Sequence, residues 1–157
     1  MISKKDIRRH LRIVVFIIAA ISCFATTSCT IERSNNWRLD GYWHLGMIDT
    51  LQTGGVLDLS QKRLFWSFQV RLLQVVDRDG VLDSYLFYFD YTKKGKTLQV
   101  HHPRVNDKVA GDPVVEDQNV YKEYGINALS EPFEIKELTS SSLVLESDKL
   151  RLRFKRF

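Results

Sequence analysis

Alternation dominates the chain from Trp37 to its end. In the first stretch, residues 37–49, Leu39, Gly41, Trp43, Leu45 and Met47 share one parity, and Asp40, Tyr42, His44 and Gly46 share the other. A period of two marks a strand with one buried face. Thr53-Gly54-Gly55 interrupts it, a short strand at 56–59 follows, and Ser60-Gln61-Lys62 turns the chain. Residues 63–77 form the longest regular run. Leu64, Trp66, Phe68, Val70, Leu72, Gln74 and Val76 fall on its expected inner face, and Phe65, Ser67, Gln69, Arg71, Leu73 and Val75 on its outer face. Helical spacing is missing and β-branched and aromatic residues abound, so the run predicts a single strand.

Asp79-Gly80 then offers the two central residues of a type I′ hairpin turn, because both tolerate positive φ. Such a turn sets Arg78 against Val81, Gln74 against Tyr85, Leu72 against Phe87 and Val70 against Phe89, and the apolar faces coincide. A three-residue loop would turn Tyr85, Phe87 and Phe89 outward. Lys94-Gly95 repeats the device and sets Phe89 against Val100 and Phe87 against His102. Three more strands are predicted at 133–138, 143–146 and 150–157. A turn at Ser147-Asp148 pairs Leu145 with Leu150 and Leu143 with Leu152. Between the fifth and sixth strands, residues 103–131 break the pattern with Pro103, Gly111, Pro113 and Gly125. Residues 117–124 suit a short helix with Asp117 as its N-cap. A break of this length reads either as a packed crossover over one end of the fold or as a gate.

Eight consecutive antiparallel strands leave two edges exposed unless the sheet closes. The expected fold is therefore all-β: an eight-stranded antiparallel up-and-down barrel with a long loop or short helix between strands 5 and 6. Closure brings the start of the first strand beside the end of the last. Gly41-Tyr42-Trp43 lies at one and Arg156, in phase with Leu150, Leu152 and Phe154, at the other. An Arg over an indole gains about 0.5–2 kcal/mol. Gly41, Trp43 and Arg156 are thus the expected barrel-closing residues; Arg153, the rival cation, has the wrong phase. The pair resembles the lipocalin signature, in which a Gly-x-Trp on the first strand meets a basic residue from the last. Residues 37–157 as a whole resemble the small, largely uncharacterised lipocalin-like lipoproteins of Gram-negative bacteria. The likeness is carried by Leu39-Asp40-Gly41-Tyr42-Trp43-His44-Leu45 and by Leu150-Arg151-Leu152-Arg153-Phe154-Lys155-Arg156-Phe157. The resemblance implies a barrel and an envelope lipoprotein, and it implies no substrate.

The first 28 residues read as an address. Lys4, Lys5, Arg8, Arg9 and Arg12 precede the apolar run at 13–24. A basic start followed by a short apolar stretch is a secretory signal, and a membrane-spanning helix would need about 20 apolar residues. Ala25-Thr26-Thr27-Ser28 leads into Cys29 and resembles a lipobox, with Thr26 in place of the usual Leu. Cys29 is the expected lipidation site and Cys23 the rival. Modification at Cys29 leaves no free thiol, whereas Cys23 would leave an odd one in an oxidising compartment. The expected organisation is a signal peptide at 1–28, a tether at 29–36 and a barrel at 37–157. The protein is expected in the bacterial cell envelope, lipid-anchored to the outer membrane, with the inner membrane as the alternative.

Charge narrows the partners. The formal net charge of +4 comes wholly from residues 1–28, which hold five basic side chains and one acid; the remainder carries 18 of each sign. A neutral body gives no electrostatic case for nucleic acid. No nucleophile elbow, phosphate loop or zinc-protease motif is present. His101 and His102 on opposite faces of one strand would not chelate an ion together. Asp112, Glu116 and Asp117 form a loose acidic group that reads as a solvated loop rather than a calcium site. Lys93, Lys94 and Lys96 form a basic hairpin tip that either blunts aggregation or faces anionic headgroups. No cofactor, metal or catalytic residue is expected, and the chain does not read as an enzyme.

Parity points Trp43, Trp66, Phe68, Tyr85, Phe87, Phe89, Tyr91, Phe133 and Phe154 inward, with Gln74, Asp83 and His102 as polar companions. Barrels of this size are either filled by side chains or hold one small ligand. The leading reading is a lipid-anchored protein that binds a small apolar or amphipathic molecule, with Trp66, Phe68, Tyr85, Phe87, Phe89 and His102 lining the site. The alternative is a solid-core interaction lipoprotein that meets another envelope protein. In both readings the bilayer is a partner through the acyl anchor. The occupancy of the interior separates the two.

Overall fold

The structure, a computed structural model, describes residues 34–94 and 96–157. The segment expected to be a signal peptide, Cys23, Cys29 and residues 30–33 of the expected tether lie outside the described residues. The wall runs through β1 (Gly41–Thr50), β3 (Leu64–Gln69), β4 (Leu72–Asp77), β5 (Tyr85–Thr92), β6 (Thr97–Val105), β7 (Ser130–Leu138), β8 (Ser142–Glu146) and β9 (Leu150–Arg156). Each pairs antiparallel with the next, and β1 pairs with β9, so the eight strands close into an up-and-down barrel. A ninth, β2 (Val56–Asp58), follows β1 in the chain and continues the wall where β3 leaves off. Gly41–His44 of β1 pair with β3, and Met47–Asp49 pair with β2. The barrel is complete within these residues: its core runs from Leu39 to Phe154.

Residues 63–77 are two strands, not one. A single strand of that length would extend about 50 Å, longer than any other wall element. Instead Gln69 pairs with Leu72 across a tight turn. Val70 sits there at φ 58, a strained backbone for a β-branched residue. Asn36 fixes the turn by donating its amide to the Val70 carbonyl at 2.6 Å and to Asp40 at 2.7 Å. The turn reverses parity, so Leu73 and Val75 point inward and Leu72 is exposed.

The next connection also differs from the two-residue hairpin. Residues 78–84 form a longer loop, and Leu73 pairs with Phe87 and Val75 with Tyr85, one position away from the expected register. The two departures cancel: β4 and β5 each change parity relative to the other, and Tyr85, Phe87 and Phe89 still face inward. Asp77 organises this loop. Its carboxylate accepts from the N–H groups of Asp79 (2.9 Å), Val81 (3.0 Å) and Leu82 (3.1 Å). Burial works to raise the Asp77 pKa, but these backbone donors outweigh it and hold the group below its usual value. A carboxyl with a lowered folded pKa stabilises fully at neutral pH and loses that contribution as acid protonates it. Asp77→Asn is therefore expected to lower the unfolding free energy by about 1.5–3 kcal/mol at neutral pH. The difference should shrink as pH falls below the ordinary carboxylate range and through the lowered folded pKa of Asp77. Urea titrations across that window read the difference.

Three bulges correct the remaining phases. In β1 the register shifts at Gly46, so Ile48 is buried and Met47 is not. In β6 it shifts between the partners of Leu86 and Tyr88, and His102 adopts φ 54. Phe89 pairs with Val100, but Phe87 does not pair with His102. In β7 the shift falls at Lys136. At the β8–β9 turn, Leu145 pairs with Leu152 and Leu143 with Phe154, two positions from the expected pairing. An even offset preserves the faces, and all four remain buried. Between β6 and β7, a 3-10 helix at Gln118–Tyr124 carries Asp117 as its N-cap, with the side chain accepting from Asn119 N at 2.9 Å.

Candidate functional site

The barrel interior is the first candidate. Trp66, Phe68, Tyr85, Phe87 and Phe89 all point into it and are buried. They meet one another rather than an opening. Trp66 packs on Phe154 (5.1 Å between ring centroids), Phe133 (5.8 Å) and Phe68 (6.0 Å), and Phe68 meets Phe89 edge-on at 5.2 Å. The edge-to-face contacts among these, Trp66 with Phe133 and Phe154 and Phe68 with Phe89, add about 0.5–1.5 kcal/mol each beyond burial. Tyr91 is only partly buried against the core.

The rest of the space is taken by the 103–131 crossover. Three residues per turn place Tyr121 and Tyr124 on one face of the 3-10 helix, and both rings are 0% exposed. Tyr121 packs edge-on against Phe87 (5.1 Å) and Tyr85 (5.7 Å). The Tyr124 hydroxyl donates to the Asp83 carbonyl at 2.8 Å, and Trp66 Nε1 donates to the Tyr124 carbonyl at 3.1 Å. The helix ends at Gly125, whose φ of +83 suits glycine and whose α-carbon lies so close to Leu152 that an added Cβ would stand 2.6 Å from its Cδ2. The crossover is thus a packed plug over one end. Burial, with the charges of Glu131 and Asp117 adding, pushes the Tyr121 phenol up to about 12. Burial and Asp77 raise Tyr124 as well. Both therefore stay neutral donors at physiological pH. The Tyr121 hydroxyl is buried with no hydrogen-bond partner among the described residues. Sequence reasoning named the helix and its cap but missed the two inward tyrosines. Their i, i+3 spacing was the available signal.

His102 is not part of the interior. Its bulge turns it outside, where it is exposed, its Nδ1 contacts His101 Nδ1, and its ring lies edge-on to Tyr88. The two imidazoles therefore share the outer surface rather than opposite faces, with His101 Nε2 3.1 Å from Asp90. Among the described residues, no three of His, Cys, Asp and Glu converge to hold a metal ion. Of the acidic group at 112–117, Asp117 caps the helix and Asp112 receives Arg104 on its carbonyl.

At the opposite end, Trp43 pairs with Arg156 across β1 and β9. The Arg156 guanidinium lies 5.1 Å over the Trp43 ring and donates to the carbonyls of Arg38 (3.0 Å) and Asp40 (2.7 Å). Trp43 is buried and donates its indole N–H to the Leu39 carbonyl at 2.8 Å. Gly41, at φ +132, lies so close to that guanidinium that a Cβ would stand 2.5 Å from its Nη2. Arg153 is elsewhere, paired with Asp49 on the outer wall at 2.7 Å.

A Gly-x-Trp on the first strand, an Arg from the last over the indole, and a closed eight-stranded wall are together on the molecule. The sequence model of the lipocalin-like domain family matches residues 22–157. The chain belongs to that family. Two solved structures share the lipocalin-like fold. A lipocalin-like protein from Bacteroides uniformis is 22% identical over 76% of this chain and 99% of its own, with a TM-score of 0.57. An uncharacterized protein from Bacteroides eggerthii is 16% identical over 75% of this chain and 98% of its own, with a TM-score of 0.55. No curated protein matches the chain.

The outer wall of this lipocalin-like barrel also carries features. Tyr42 stacks on Phe65 at 4.7 Å, and Phe157 closes on Phe65 edge-on at 5.2 Å, although all three side chains belong to the solvent side of the wall. A cleft of about 460 Å³ opens beside this cluster, lined in part by His44, Asp58, Glu137, Arg153 and Lys155.

Proposed function

We propose that the chain is a lipid-anchored protein of the bacterial cell envelope that works as an interaction module through the outer wall and ends of a filled lipocalin-like barrel. The single observation that carries this reading is the occupancy of the interior by Tyr121 and Tyr124, at no exposure. Lipocalin capture needs a concave apolar space of about 300 Å³ or more. Here Trp66, Tyr85 and Phe87 touch the plug, and Phe68 packs on Trp66 and Phe89. The aromatic cluster of Tyr42, Phe65 and Phe157 on the outer wall supports a protein-facing surface, since aromatic residues are enriched at interface cores. The anchor rests on the basic start, the apolar run and Cys29, and its bilayer is read as the outer membrane, with the inner membrane as the alternative. The lack of a nucleophile–base motif in the mature sequence supports a non-catalytic role.

The partnerless Tyr121 hydroxyl favours one second reading. If the 3-10 helix swings out, Trp66, Phe68, Tyr85, Phe87 and Phe89 become the wall of a cup for a small apolar molecule. Native mass spectrometry of the barrel purified from its host separates the two. A bare protein mass is the expected result. A stoichiometric adduct of lipid mass would replace the first reading by the second.

A further inference from the structure

The barrel has two chemically different ends. Antiparallel alternation places the β3–β4, β5–β6 and β7–β8 turns at the same end as the start of β1 and the finish of β9. Arg38, Lys93, Lys94 and Lys96 stand on that end, and among the described residues none of them has a carboxylate within 4.0 Å. The opposite end holds Asp79, Asp83, Asp107, Glu116, Asp117 and Glu123, and acids outnumber bases there. The neutral body is therefore polarised along its axis.

Trp37 completes the basic end. It is 57% exposed, although tryptophan is usually buried. It is held outward at φ 57, in the left-handed region that bulky residues avoid. The Lys93 ammonium lies 4.4 Å from its ring centroid and the Arg38 guanidinium 4.3 Å. Beside it opens a shallow cleft of about 260 Å³. Tyr91, Ile135 and Leu138 supply its apolar surface, Lys93 and Lys96 its unpaired cations among the described residues, and Lys136, paired with Glu134 and Glu146, and Glu137 also stand on the wall. An exposed indole ringed by cations over an apolar hollow matches the layering of a bilayer surface, where tryptophan sits at headgroup depth and lysines meet lipid phosphates.

We propose that this end is a membrane-docking face, on which the barrel stands against an anionic phospholipid surface with Trp37 inserted at headgroup level. The proposal goes beyond the acyl anchor and does not rest on it. The wall and core are complete within residues 34–157, so the test uses that chain, which lacks Cys29. It is sedimented with vesicles of phosphatidylglycerol and, separately, of phosphatidylcholine. Trp43 and Trp66 are 0% exposed, so quenching of tryptophan emission by brominated lipid reports Trp37.

Binding and quenching are expected with phosphatidylglycerol and not with phosphatidylcholine. Each lysine near an anionic surface is worth about a fivefold change in partition. Lys93→Gln, Lys94→Gln and Lys96→Gln together should therefore weaken binding about a hundredfold. Lys122→Gln with Lys149→Gln, at the other end, should leave it unchanged. Equal behaviour on both vesicles, an equal loss from the two sets of substitutions, or a Trp37 untouched by brominated lipid would overturn the proposal. None of those results would bear on the anchor at Cys29.

Discussion

Tyr124→Ala is expected to lower the unfolding free energy by about 3–5 kcal/mol, the range for removing a buried aromatic ring from a core that relaxes only in part. The ring is fully buried, and its hydroxyl holds the Asp83 carbonyl. The Trp66 indole donates to the Tyr124 backbone carbonyl, so displacement of the helix would also leave a buried donor unpaired. Tyr124→Phe isolates the hydroxyl and should cost only about 1 kcal/mol. Chemical denaturation measures both. The alanine variant should also take up an environment-sensitive apolar dye that the wild type excludes, because it opens the aromatic cup. An alanine variant as stable as the wild type would mean that the crossover covers the barrel without filling it.

Trp43→Ala should be the other severe loss, again about 3–5 kcal/mol. Trp43 is buried where β1 meets both β3 and β9, so its side chain stands at the seam on which closure depends. Its removal leaves a cavity, frees the Leu39 carbonyl and takes the face from beneath Arg156. Arg156→Ala keeps the indole and loses the stacking and the donations to the carbonyls of Arg38 and Asp40. Because the guanidinium is exposed to solvent, that change should cost about 1–2 kcal/mol. The ordering of the two variants in a urea titration is the check. A larger loss for Arg156→Ala would place the seam's stability in the cation rather than in the ring.

The fold was legible because parity carries it. Trp43, Trp66, Phe133 and Phe154 were assigned inward by a period of two and lie in the core. What alternation cannot show is where an extra residue enters a strand. The β3–β4 turn has no glycine, proline or asparagine at its centre; Val70 is held in the left-handed region by Asn36, far earlier in the chain. Local sequence carries no trace of that bond. The bulge at His102 is of the same kind: it moved a predicted interior residue to the outer surface, as the β3–β4 turn did for Leu72 and Gln74. Tyr85, Phe87 and Phe89 kept their predicted faces only because two such departures compensated. The interior itself was not legible: the spacing of Tyr121 and Tyr124 was visible, but that their helix enters the barrel depends on packing between distant segments.

The short β2 leaves one flank of its backbone unpaired, with Val56 64% exposed beside it. Three residues supply too few main-chain partners to template a neighbouring copy. Copies of this molecule brought close together therefore find at β2 no edge long enough to zip into a fibre.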